Sequence, residues 1–360
     1  MIFLVRDMLH TTPAGIKEAY QRSCAIKLSI VMILLVLLIF LLGLSITQGP
    51  IQYTVWEVYA TILHHFLPFH FATTTELANT IIWNIRLPRA IFGIVAGFGL
   101  AIAGCILQGI LKNPLASGYT LGIAHGAGFG AAVAIIFGSG LIEGDYLIIV
   151  NAFIFSLVPT LTIFGISQYK RATPETMILA GIAMMYLFSA AITFVQFFGT
   201  TDAVTATVFW MVGDLGKASW DRLILMSPII ICCIPFLIWK SLDLNVMGAG
   251  DESAKSLGVN VEQSRVVMMV VSSLMVSAVV CFTGAIGFVG LVGPHIARMI
   301  IGGDNRFLIP ATGLVGAILL IGSDMVATQI MAPTILPVGV VTAFMGVPLF
   351  LYLIIRRRFD

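Results

Sequence analysis

Apolar residues run along this chain in long blocks separated by short polar punctuation, and that rhythm predicts membrane-spanning helices of ~20 residues each. The first block covers about Ile26 to Ile46, behind a leader carrying Arg6, Lys17, Arg22 and Lys27. A polar and aromatic loop, Gly49 to Ala78, leads to an overlong block, about Ala78 to Leu111, with Arg86-Leu-Pro-Arg89 near its start. Lys112-Asn-Pro-Leu115 predicts a tight turn, and a third span runs on to Phe137. Further spans are expected at about Tyr146 to Ile166, Thr176 to Phe198 and Leu223 to Trp239. The basic turn Tyr169 to Pro174 separates the first two of these. Thr200 to Arg222 reads as a mixed loop whose apolar piece, Val208 to Val212, is too short to cross.

The run Val266 to Ile301 departs from the rhythm. It is too long for one membrane helix and too short for two full spans with a loop. Within it lies G-A-I-G-F-V-G-L-V-G-P-H-I-A-R, Gly284 to Arg298. Proline removes a backbone donor and clashes one turn back, so a break is predicted near Gly287 to Pro294. Broken backbone at membrane depth is tolerated only where protein or a water-filled cavity covers it. The expected products are a span from about Val266 to Ile286 and a half-helix, Val289 to Ile301, with Arg298 marking the return to water. Phe307 to Ile330 and Pro337 to Ile355 complete ten spans. The fold class is therefore all-α: a polytopic membrane protein of about ten transmembrane helices.

Composition supports this class. Hydrophobic residues make up 59% of 360 and charged residues 10%, where soluble domains carry ~25% charged. Charges scattered through Met1 to Lys27 argue against a cleavable signal peptide. The organisation is a leader (1–25), one transmembrane domain (26–355) and a tail (356–360). With the N-terminus in the cytoplasm, 15 of the 19 Lys and Arg fall on the cytoplasmic side; Arg86, Arg89, Lys217 and Arg222 lie outside. The tail Arg356-Arg-Arg358 places the C-terminus inside too, which demands an even number of spans. Cys24, Cys105, Cys232, Cys233 and Cys281 have no metal-type spacing and read as small buried thiols.

The chemistry is sparse. No phosphate-binding G-x-x-x-x-G-K-[ST], H-E-x-x-H or G-x-S-x-G is present. The main intramembrane ionisable residues are Arg86, Arg89, His125 and Asp324. Asp324 is the candidate ion site if the chain is a secondary transporter; otherwise the energy comes from another subunit. The loop Asn245 to Asn260 carries Asp251 as an N-cap, Ala254 and Leu257 one turn apart, and Gly258 as a C′ stop. This predicts a short helix that is either a docking surface for that subunit or a solvated connector. His64, His65 and His70 read as solvated loop residues rather than a metal cluster. His295 reads as a structural group at a helix terminus. His125 reads as a structural hydrogen-bonding group and is the candidate pathway residue, placed to contact a metal chelate or haem. The pair Gly93/Gly97 and the row Gly122, Gly126 and Gly130 suit close helix packing or pore lining alike.

Several motifs in order resemble the FecCD/BtuC family of permease subunits of ABC importers. They are Arg86-Leu-Pro-Arg89, Gln108 with Asn113-Pro-Leu-Ala116, Leu121-Gly122 with Gly126-Ala127, and Trp210-Met-Val-Gly213. After these come Lys255-Ser-Leu-Gly258, Gly284 to Arg298, Pro337-Val-Gly-Val-Val-Thr342 and Gly346-Val-Pro348. The resemblance implies a BtuC-like, type II importer permease that pairs as a homodimer with the substrate path at the dimer axis. It implies that Arg86 and Arg89 receive carboxylates of an extracytoplasmic substrate-binding protein. It places Asp251, Glu252, Ala254, Lys255, Leu257 and Gly258 in the helix that couples to the ATPase, and Asn113, Leu115, Pro174 and Glu175 at the cytoplasmic gate. The chain departs from the family pattern at Thr328, after Asp324-Met-Val-Ala327, where the family often has an arginine, and at Pro174 and Glu175, where small hydroxyl residues are common.

The partners so implied are two ABC ATPase subunits, the binding protein, a second permease copy, membrane lipid and a metal chelate as substrate, with no nucleic acid. The chelate expected is an iron-siderophore, else haem or cobalamin. No catalytic residue, metal site or cofactor is assigned to the chain itself; ATP is handled by the partner subunit.

Overall fold

A computed structural model of the chain describes residues 13–49, 51, 53–66, 75–169, 173–332 and 334–356. Every described regular element is helical: α1 (Pro13–Thr47), α2 (Val55–Phe66), α3 (Glu76–Ile110), α4 (Ile123–Phe137), α5 (Leu147–Tyr169), α6 (Pro174–Gln196) and α7 (Thr201–Val212). They continue as α8 (Trp220–Trp239), α9 (Ser241–Gly248), α10 (Asp251–Ser256), α11 (Val261–Thr283), α12 (Val289–Ile301), α13 (Asn305–Gln329) and α14 (Val338–Arg356). Seven of these are long and apolar enough to cross a membrane. Four shorter apolar helices, α4, α7, α12 and α14, accompany them; the ten spans expected from the sequence correspond to the seven long helices with α4, α12 and α14. Arg6, His70, the basic turn at 170–172 and the tail at 357–360 lie outside the described residues.

The fold is layered by burial. Helices α3, α11 and α13 are buried along most of their length, whereas α1 keeps most of its apolar surface exposed, as suits a lipid-facing helix. Helix α3 is the hub: α11, α12 and α13 all pack against it, while α4 packs on α5 and α6.

Prolines and glycines cooperate at the tightest crossings. Pro294 lies inside α12 and cannot donate to the Gly290 carbonyl one turn back. A Cβ on Gly104 of α3 would sit 1.8 Å from that oxygen, so the uncapped carbonyl faces a glycine. Pro159 in α5 does the same for Phe155, whose oxygen would lie 2.4 Å from a Cβ on Gly126 of α4. Gly130 packs likewise on the Asn151 carbonyl, and Gly97 on Gly316. The glycine rows read from sequence as packing or pore lining are thus packing surfaces here.

A third proline shapes the N-terminal part of α3. Residues Thr80–Arg86 wind as a π-helix, with Leu87 N–H donating to Ile82. Pro88 cannot make the next such bond, to the Trp83 carbonyl. The indole N–H of Trp220, from α8, donates to that carbonyl instead, at 3.0 Å.

Several sequence expectations are corrected. The stretch Gly49 to Ala78 is not all loop, since α2 forms within it, with Thr54 and Glu57 bonding each other across its first turn. Thr200 to Arg222 contains α7, capped by the Thr200 hydroxyl. The break in the apolar run lies at Gly284 to Phe288, and Pro294 continues the helix. Arg298 is half-buried, and α12 ends at Ile301. Cys105, Cys233 and Cys281 are buried as expected, but Cys232 is exposed and Cys24 half-buried.

Candidate translocation pathway and its two ends

Three motif segments that are distant in sequence meet at one backbone junction. Helix α7 ends at Gly213, whose φ of +81° suits glycine. Asp214 N–H donates to Thr283 O at 2.7 Å, and Gly339 N–H donates to Gly213 O at 3.2 Å. A Cβ on Gly284 would lie 2.1 Å from Trp210 O, and one on Gly339 1.6 Å from Val212 O. Only glycine permits these contacts. The junction therefore fixes the broken backbone of α11 and α12 against α7 and α14.

A cavity of about 860 Å³ opens beside this junction. Its wall comes from Ser117, Tyr119 and Thr120 after α3, Met211 and Val212 at the end of α7, Ala285 to Leu291 at the break, and Gly339 to Pro348 of α14. The lining is mostly apolar, with hydroxyls from Ser117, Tyr119 and Thr120. Phe288 projects here from a backbone φ of +65°, which is strained for a bulky residue. His125 is not part of this wall. It lies edge-on to Tyr119, with ring centroids 5.0 Å apart, and its buried Nδ1 has no hydrogen-bond partner. The structural hydrogen bond expected of His125 is therefore not made through Nδ1.

At one end of the molecule, Arg86 and Arg89 border a second cavity of about 270 Å³ with Asp324 and Thr328. Arg86 donates to the carbonyls of Ile46 (2.9 Å), Thr47 (3.2 Å) and Ile51, closing the C-terminal end of α1. Arg89 grips the Asp324 carboxylate from two sides, and both side chains are largely buried. Asp324 is thus a charge-balanced partner rather than an isolated acid. The Thr328 hydroxyl donates to Met325 O.

At the opposite end, the segment between α8 and α11 forms two short helices, α9 and α10. Asp251 is not the N-cap of α10. Gly250 holds that position with φ +130°, and Asp251 begins the helix with its carboxylate turned to cations. It lies 2.8 Å from Lys112 Nζ and accepts a 2.8 Å bond from Arg265 Nη2. Partial burial pushes its carboxyl up, but the Lys112 ammonium beside it and the bond from Arg265 outweigh this and hold it below the usual range. The apolar edge expected of this helix is divided: Ala254 is fully buried, whereas Leu257 is 72% exposed. Glu252, Lys255 and Gly258 are exposed beside Leu257, and Gly258 takes φ +85° as a C′ stop.

Asn113 closes its own turn, its Oδ1 accepting from Leu115 N–H at 2.9 Å, and Leu115 is exposed. Pro174 begins α6 behind the Thr173 cap, with Glu175 exposed. Among the described residues no hydrogen bond or ion pair joins Asn113 or Leu115 to Pro174 or Glu175; further along both segments, Gly181 packs on Leu121. His65 stacks on Trp83 at 3.8 Å, and His295 lies edge-on to Phe350.

Sequence reasoning missed Arg265. It looked like the last loop residue before an apolar run, yet its side chain is 2% exposed and donates to Ile110 O at 3.0 Å. The signal available was a lone arginine adjoining a span, with an acid 14 residues before it. Asp304 was missed too. It binds Arg306, Asn245 and Lys27, and the Arg306 fork, against partial burial, holds its carboxyl down at about 2.

Comparison with known proteins agrees with this architecture. Residues 35–356 match the model of the FecCD transport family. An ABC transporter permease protein of Methanocaldococcus jannaschii is 47% identical over 77% of this chain and 82% of its own length. The permease of the hemin transport system of Yersinia pestis is 39% identical over 79% of this chain and 86% of its own. A solved metal-chelate type ABC transporter, in an inward-facing conformation, superposes with a TM-score of 0.80 at 28% identity, covering 91% of this chain and 99% of that one.

Proposed function

This chain belongs to the FecCD transport family, and from that membership we propose that it is the permease subunit of an ABC importer that moves a metal chelate into the cytoplasm. The observation that carries the reading is the 860 Å³ cavity walled by the motif segments that meet at Gly213, Gly284 and Gly339. Its mostly apolar wall offers few strong partners. That suits a path in which substrate must enter and then leave, since tight binding would stall transport.

In this reading two copies of the chain pair around the path, and both termini lie in the cytoplasm. Tyr20, Lys27, Asn245, Asp304 and Arg306 are bonded together at one end, which supports placing the N-terminal helix and the α8–α11 segment on the same side. A substrate-binding protein docks at the Arg86 and Arg89 end. Two ATPase subunits seat the exposed face of α10, and Asn113, Leu115, Pro174 and Glu175 form the inner gate. ATP drives the cycle by favouring one orientation of the dimer over the other. The chain itself catalyses no bond chemistry. An iron-siderophore is the preferred cargo, with haem or cobalamin as alternatives.

The test is purification of the tagged chain from its native membrane in mild detergent. A complex with an ATPase, two copies of each, supports the importer. A chain that purifies alone and transports in liposomes under an ion gradient without ATP would overturn it.

A further inference from the structure

The turn after α3 contains a choice of residue that local structure does not favour. Lys112 N–H donates to Gly109 O at 3.3 Å and Asn113 N–H to Gln108 O at 3.2 Å. This is a Schellman ending with Lys112 at its left-handed position, φ +49°. Glycine is the usual occupant, because any Cβ is strained there. What the lysine adds is its ammonium, which lies 2.8 Å from Asp251 at the start of α10.

Asp251 is in turn held by Arg265, which donates to Ile110 O at the end of α3. The first turn of α10 is therefore tied to the end of α3 on both sides of Asp251. The neighbouring helix α9 rests Leu244 on Gly109 of α3 and is bonded in addition to α13, where Asn245 meets Asp304 and Asn305. Between α9 and α10 lie only Ala249 and Gly250, the latter at φ +130°. The segment is thus jointed, and its α10 half is tied ionically to the residue that begins the Asn113–Leu115 turn.

We propose that Lys112 is a latch: held on Asp251, it passes displacement of α10 to the turn Asn113–Leu115. The proposal rests on the importer reading and adds the residue through which the ATPase signal reaches the gate. Lys112 is a positioning residue in this scheme, since it touches neither ATP nor substrate. The strained backbone serves the scheme, because the turn holds that form only while the whole local network does.

The experiment uses the native complex of this chain with its ATPase in lipid nanodiscs, read by hydrogen exchange with and without ATP plus vanadate. In the wild type, exchange in both 251–256 and 113–120 changes on adding nucleotide, by at least about five-fold, the lower end of allosteric couplings. Lys112→Gly relaxes the backbone and keeps or raises thermal stability, yet clearly weakens the response in 113–120, what remains passing through the Arg265 tie, while 251–256 still responds. Lys112→Arg, which keeps the ion pair, restores the response, and Lys217→Gln, a lysine removed elsewhere, leaves it intact. A full response in 113–120 with Lys112→Gly overturns the latch, as does a wild-type complex in which only 251–256 responds. Both results leave the importer standing, whereas a chain with no associated ATPase removes the importer and the latch together.

Discussion

Arg89 and Asp324, 235 residues apart, form a forked ion pair in which Arg89 Nη2 and Nε reach the carboxylate at 2.7 and 3.0 Å. Their side chains are 13% and 6% exposed. Removing one member of such a pair leaves an uncompensated buried charge, which costs about 3–5 kcal/mol, while replacing both by apolar groups is often neutral. Arg89→Met should therefore lower the melting temperature in detergent markedly, and Arg89→Met with Asp324→Leu should recover most of it. A double variant no more stable than the single one would show that the pair is not the source of the effect.

Glycine at the α3–α12 crossing is expected to be irreplaceable. A Cβ on Gly104 would meet the Gly290 oxygen at 1.8 Å, whereas one on Gly165 meets nothing within 4 Å. Backbone opposite backbone cannot step aside as a flexible side chain can. Gly104→Ala should cost at least about 3 kcal/mol, the upper range of overpacking. Gly165→Ala should be neutral or stabilising by up to about 1 kcal/mol from helix propensity. Denaturation of the two variants side by side checks the contrast.

Asp304 predicts acid sensitivity. Its carboxyl is held near 2, against an ordinary 3.8, chiefly by the Arg306 fork. A depressed carboxyl binds fewer protons folded than unfolded, so its stabilisation is complete above the ordinary value and fades as pH falls toward about 2. Asp304→Asn should flatten the decline of melting temperature below pH ~4 and lower stability at pH ~7. An unchanged profile would remove Asp304 from the account.

The exposed tip of α10 should matter for association and not for folding. Leu257 is 72% exposed. Leu257→Asp should leave the melting temperature within the usual scatter of surface changes, about 0.5 kcal/mol. Co-purification of the ATPase should fall about ten-fold, as for the loss of a modest hot spot. Intact association would mean that α9 and α10 are a connector.

The outline of this fold was legible in the sequence because membrane spans are written locally. Most long apolar blocks became helices close to their expected bounds, but α1 starts at Pro13, within the expected leader, rather than near Ile26, α4 starts at Ile123 rather than directly after Leu115, and the break expected near Gly287 to Pro294 falls earlier, at Gly284 to Phe288. Helices α2 and α7 were not legible, since 12 residues carry too short a period to distinguish from a mixed loop. The site was legible as a set of motif residues and not as a set of contacts. Arg86 was visible as an intramembrane cation, but its carbonyl partners on α1 were not. Asp251 looked like a cap because caps are local, while its true partners, Lys112 and Arg265, are brought to it by tertiary packing.

Two hydrogen bonds of α3 bear on how such a chain is made. The Trp83 carbonyl accepts from the Trp220 indole, and the buried Gln108 amide, near the C-terminal end of α3, donates to Leu291 O, 183 residues later. A ribosome delivers α3 to the bilayer long before either partner has been synthesised. These two bonds of α3 can therefore form only after α8 and then α12 have been made. Chains truncated before residue 291 keep the Gln108 amide without that acceptor, a ready mark for the proteases that clear unfinished membrane proteins.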